Sequence, residues 1–74
     1  MKAETADLIV GALTHLIAER LSQASSLAKA AEACATAGNR DGAVQIAIEI
    51  DQPLYEAQNL INATSLINRI ARDA

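Results

Sequence analysis

At 74 residues the chain holds one domain at most, and a core that small supplies only ~3–5 kcal/mol unless its helices pack very closely or the chain associates. The composition is 51% hydrophobic but 1% aromatic, with one Tyr and no Phe or Trp. The side chains that bury most area, roughly 150–250 Å² each, are therefore almost missing, and the core must come from Ala, Leu, Ile and Val. A net charge of −3 with only six basic residues, which are scattered, argues against nucleic acid and against an anionic membrane surface, both of which are held by Lys and Arg.

The N-terminal stretch does not read as a secretion signal. Lys2 is followed at once by Glu4 and Asp7, and His15, Glu19 and Arg20 interrupt the apolar run that begins at Leu8. No uncharged apolar run approaches the ~20 residues that span a bilayer. The lone Cys34 allows neither an intrachain disulfide nor a Cys-rich zinc site. The expected setting is the cytoplasm.

The first predicted element is one long helix over about 5–37. Val10, Ile17, Ala24 and Ala31 recur every seven residues, and Ala6, Leu13, Leu27 and Cys34 interleave at three and four. That is one apolar face of a helix. Leu21, Ala28 and Ala35 are expected to widen it. Charged and small polar residues such as Glu4, Asp7, Ser22, Lys29 and Glu32 take the opposite face.

Gly38-Asn39-Arg40-Asp41-Gly42 then cuts the chain in two. Gly38 suits the left-handed position that closes a helix, and Asp41 is the expected cap of the next. The stretch reads as the turn of a helical hairpin.

Beyond it the same beat resumes. Ala43, Ile50, Ala57, Thr64 and Ala71 are seven apart, with Ile46, Leu60 and Ile67 between them and Ala47, Leu54 and Ile61 alongside. A period of 3.5 implies a left-handed supercoil between two helices. Pro53 lies on this seam, where it removes a hydrogen bond and crowds the preceding turn. The second arm is expected to be kinked or broken there, as helices over about 41–51 and 53–72, with Asp51 or Gln52 capping the restart. Near the turn, Ala24, Ala28, Ala31 and Ala35 are expected to face Ala43 and Ala47. Further away the arms become bulkier, which leaves space to be filled at the far end.

The stretch from Gly38 to Ala43, followed by Ala47-Ile48-Glu49-Ile50-Asp51-Gln52-Pro53, resembles the turn and second helix of a tetratricopeptide repeat. It lacks that repeat's aromatics and has no second copy, and such repeats stack in arrays. The likeness is read as a shared way of turning two alanine-rich helices.

Few residues point to chemistry. His15, four before Glu19, reads as a surface pair, and a metal needs several converging ligands. No catalytic, metal or cofactor-binding constellation is expected, and the chain does not read as an enzyme. Cys34 reads as a small buried apolar residue. Arg20 falls inside the apolar stripe between Leu13 and Leu27. Either its stem packs while the guanidinium reaches the edge, or it pairs with Glu56, Glu49 or Asp51 and sets the register.

A further apolar row remains on the second arm: Val44, Ile48, Tyr55, Leu66 and Ile70, with Leu8 and Leu16 off the seam of the first. A two-helix hairpin buries one stripe per helix, and exposed apolar rows mark interfaces. The expected architecture is thus a single all-α domain over 1–74, an antiparallel hairpin that dimerises into a four-helix bundle. The alternative is a three-helix monomer in which the break at Pro53 lets the last helix cover both stripes. The expected function is a non-enzymatic interaction or structural module, a homodimer that also meets another protein through a helical face. The other reading is a bundle binding a small apolar ligand in its Leu/Ile-rich end.

Overall fold

In a computed structural model, residues 1–73 are described; Ala74, the last residue of the expected domain, lies outside them. The described residues form three helices, α1 (Ala3–Thr36), α2 (Arg40–Glu49) and α3 (Asp51–Asp73). α2 and α3 together make one bent arm that runs back along α1, which packs against both. No strand occurs among the described residues. The result is a rod of 56 × 14 × 11 Å. Its radius of gyration is 16.9 Å, against about 11 Å for a compact chain of this length.

α1 is built mainly from good helix formers, with Gly11 its one internal glycine. It starts two residues before the expected boundary. Lys2 is extended and offers no side-chain cap, yet the backbone bond from the Ala6 N–H to the Lys2 carbonyl, 3.0 Å, closes the first turn. At 34 residues this single helix equals the length of a whole tetratricopeptide unit, about 34 residues. The likeness therefore stops at the turn.

The turn is tighter than its five polar and glycine residues suggest. Gly38 has φ +83°, the left-handed conformation that closes a helix at low cost only for glycine. The Asn39 N–H donates to the Cys34 carbonyl at 2.8 Å, and the Gly38 N–H donates to the Ala35 carbonyl at 3.0 Å. This pair of bonds is the Schellman arrangement. Asn39 then serves twice, because its side-chain Oδ1 accepts the Gly42 N–H at 3.0 Å and caps α2. The expected cap, Asp41, instead sits in the first turn of α2, where its carboxylate faces the positive end of the helix dipole. Asn39 displaces it because the Schellman bonds place its side chain over the new helix at once.

The break near Pro53 is an interruption with little loss of helical direction. α2 stops at Glu49, and Ile50 keeps helical angles of φ −63° and ψ −27°. The Ile50 N–H donates to the Ala47 carbonyl at 3.1 Å, and the Leu54 N–H donates to the Ile50 carbonyl at 3.2 Å. Pro53 has no N–H, so the ladder skips one rung and the arm bends. Asp51 and Gln52 lie inside the first turn of α3 and do not cap it. A helical Ile50 leaves no extended cap position to fill.

The seam follows the seven-residue beat through both arms. Its residues are buried or half-buried, including Pro53 and Thr64, across the interruption at Ile50. Thr64 Oγ1 donates to the Leu60 carbonyl at 2.8 Å, which pairs its hydroxyl within its own helix. The packing near the turn differs from expectation. Ala24 is buried and Ala31 and Ala43 are half-buried, but Ala28, Ala35 and Ala47 are exposed. They sit one position off the seam, and with only two helices in contact a residue there has no neighbour to cover it.

The cap makes a sharp prediction. A Cβ added at Gly42 would lie 2.5 Å from Asn39 Nδ2, so alanine there displaces the cap. Asn39→Ala is expected to cost about 1 kcal/mol, a fall of roughly 4–8 °C in melting temperature for a domain of this size. Gly42→Ala is expected to bring no gain in the parent chain but to stabilise the Asn39→Ala variant by up to ~1 kcal/mol, the ordinary helix preference of alanine over glycine. Thermal melts of the parent and the three variants check this, and an equal gain in both backgrounds contradicts it.

Candidate interaction face

The core is unusually slight. Among the described residues its buried hydrophobic residues are Ala6, Ala24 and Ala57, and no large side chain is fully buried. The bulky apolar residues lie half-buried on the seam or exposed beside it. Leu8 is 77% exposed, Ile48 68%, Tyr55 64% and Val44 53%.

The residues expected to form one interface row do not share one face. In the seven-residue register, Ile48 and Tyr55 lie on the outer back of the second arm, and Leu8 on the outer back of α1. Val44 lies near the turn, toward the flank that also carries Leu54 and Ile61. Leu66 and Ile70 lie toward the opposite flank, with Leu16. The expected row thus crosses the back of the second arm from one flank to the other. Its straight-helix spacing drifts against a seam that repeats every 3.5 residues.

The two flanks differ in chemistry. One is crossed by a polar network. Arg20 Nε lies 3.7 Å from Glu56 Oε1. Arg20 Nη1 donates to Gln23 Oε1 at 3.0 Å, and Gln52 Nε2 donates to Glu56 Oε2 at 3.3 Å. Of the three carboxylates considered for Arg20, Glu56 is the one it meets. The guanidinium stem is drawn into the seam and its head reaches this edge, so the snorkelling geometry and the interhelical pair occur together.

The other flank carries Leu21, Leu54 and Ile61, each directly following a seam residue. They are 46%, 45% and 45% exposed. The Arg20–Glu56 contact sets Leu21 at a height between Leu54 and Ile61 along the antiparallel arm. In the sequence Leu21 reads as widening the seam, with Leu54 and Ile61 alongside it. Their signal was their place one residue beyond it.

The remaining candidates are simply placed. His15 Nε2 lies 3.1 Å from Glu19 Oε1 on an exposed face of α1. Cys34 is free and half-buried. Among the described residues no three His, Cys, Asp or Glu side chains converge, and no helix is long and apolar enough to cross a membrane. The hollows along the far half of the rod are open grooves. One is lined by Leu16, Arg20, Glu56, Asn59 and Leu60, and another by Val10, Ile17 and Ile61 with three polar residues of α3. No family model, curated protein or solved structure matches the chain.

Arg20 and Glu56 retain 27% and 41% side-chain exposure, so water screens their attraction. A double-mutant cycle of Arg20→Met and Glu56→Gln is expected to give a coupling below ~1 kcal/mol. Arg20→Met alone is expected to leave the melting temperature unchanged or raise it, because Met continues the apolar stripe from Leu13 to Leu27. A fall of several degrees on that single substitution contradicts this account.

Proposed function

We propose that the chain is a non-enzymatic interaction or structural module that works as a homodimer, two hairpins joining into a four-helix bundle. The observation that carries this reading is surface area. The hairpin exposes 5338 Å², whereas a compact monomer of 7.7 kDa exposes about 4,300 Å². The excess, about 1,000 Å², is comparable to what one partner contributes to a standard interface, about 800 Å². A hairpin whose buried hydrophobic residues are three alanines has little internal stability to spare, and association supplies the missing burial.

In this reading Arg20, through Glu56, holds at mid-rod the register that the turn starts. Leu8, Leu16, Val44, Ile48, Tyr55, Leu66 and Ile70 are apolar and exposed off the seam. Those that the dimer leaves outside, Ile48 and Tyr55 foremost, form the helical face offered to another protein. A free thiol on the seam accords with a reducing cytoplasmic setting.

Light scattering or sedimentation equilibrium is expected to return twice the chain mass of 7.7 kDa, with a melting temperature that rises with protein concentration. A strict monomer with a concentration-independent melt overturns the reading.

A further inference from the structure

An elongated hairpin can pair through either flank and with its two-fold axis along or across the rod. We propose that two copies meet on the flank carrying Leu21, Leu54 and Ile61, about an axis parallel to the rod. Both turns then lie at one end, and each α1 packs on the other copy's α2–α3 arm. This rests on the self-association proposed above.

The choice of flank follows from charge. From Gly11 to Ala28 the flank of α1 holds no ionisable residue, and from Leu54 to Asn68 neither does the flank of α3. The opposite flank carries Arg20, Glu49 and Glu56 near its middle. Covering those would strip water from charges paired at 3.7 Å and no closer, a desolvation cost that such a pair does not repay. The other flank keeps Glu4, Asp7, Glu32 and Arg72 toward its ends and Asp51 one turn before Leu54, which leaves a charge-poor centre of the kind protein interfaces select. The surface excess above already matches the area one copy must contribute.

The choice of axis follows from size and charge together. The α1 row is small, with Gly11, Thr14 and Ala18 beside a single Leu21, whereas the arm presents the larger Leu54 and Ile61. An axis along the rod sets the small row of each copy against the large row of the other. An axis across the rod would oppose small to small and large to large. At the far end α1 carries Glu4 and Asp7, and the arm carries Arg72. With the axis along the rod, Arg72 of each copy meets the acidic pair of the other. With the axis across it, that acidic pair approaches Glu32 of the other copy, and like charges repel.

The test is a distance. A spin label on Arg40→Cys, in a Cys34→Ala background, sits beside the turn. Pulsed electron paramagnetic resonance is expected to give roughly 20–30 Å, the diagonal of a bundle with 8–10 Å between helix axes plus the label arms. Turns at opposite ends would give a separation near the 56 Å rod length. That result overturns the proposed symmetry and leaves self-association standing, whereas a monomeric mass removes both. For the flank, Leu21→Glu or Ile61→Glu is expected to weaken dimerisation at least tenfold, and Tyr55→Glu on the outer back to leave it unchanged. The reverse pattern overturns the flank assignment. If a charged variant loses its helix by circular dichroism, the label distance in the parent dimer still decides the axis, and the milder Leu21→Ser and Ile61→Ser variants decide the flank by the same loss of dimerisation.

Discussion

The constraint behind this structure is that two helices cover each other along one line only. A seam residue on α1 is shielded by the arm opposite, but its neighbours one position to either side face open water whatever their side chains are. Alanine at Ala6, Ala24 and Ala57 lets the backbones approach closely enough to bury those positions. A contact this thin covers the larger seam residues, such as Leu13, Ile17, Leu60 and Ile67, only in part, and leaves Leu21, Leu54 and Ile61 outside it. A thin, well-registered seam and exposed apolar margins are thus two results of one packing geometry.

Register comes from the turn. Closing α1 and opening α2 within Ala37, Gly38 and Asn39 leaves no slack in the connection. Once Asn39 has donated its N–H to Cys34 and accepted the Gly42 N–H, the height of every α2 residue against α1 is set. The seven-residue beat then carries that height past Ile50 and Pro53 into α3, where Glu56 arrives beside Arg20. Pro53 is tolerated on the seam because Ile50 stays helical. The lost hydrogen bond bends the arm without rotating its apolar stripe away from α1.

Much of this was legible in the sequence. The 3.5 period, the left-handed Gly38 and the disruption near Pro53 are local signals, and each stands where its residues put it. The identity of the cap was less legible, because Asn39 and Asp41 are both good cap residues and only the Schellman bonds decide between them. The flank was least legible. Leu21, Leu54 and Ile61 repeat with the seam, and whether such residues are core or margin depends on how many helices surround them, which periodicity does not encode. The expected row from Val44 to Ile70 is exposed, but in the register of the seam it crosses the back of the arm. Its spacing suits a straight isolated helix, whereas faces here are defined by a coiling seam.

The polar network has a consequence for binding as well as for pairing the arms. Arg20, Gln23, Gln52 and Glu56 satisfy one another at the edge of the rod, and that edge stays hydrated because the charges remain partly exposed. An apolar partner laid over it would have to displace that water without offering donors or acceptors in return. In the proposed pairing it is therefore the other side that is covered. A single charged residue in an otherwise apolar stripe, unfavourable for the hairpin alone, gives the hairpin two unlike flanks. A rod with two unlike flanks can form a closed pair, whereas one with two equivalent apolar flanks could add copies on both sides and grow into an open array.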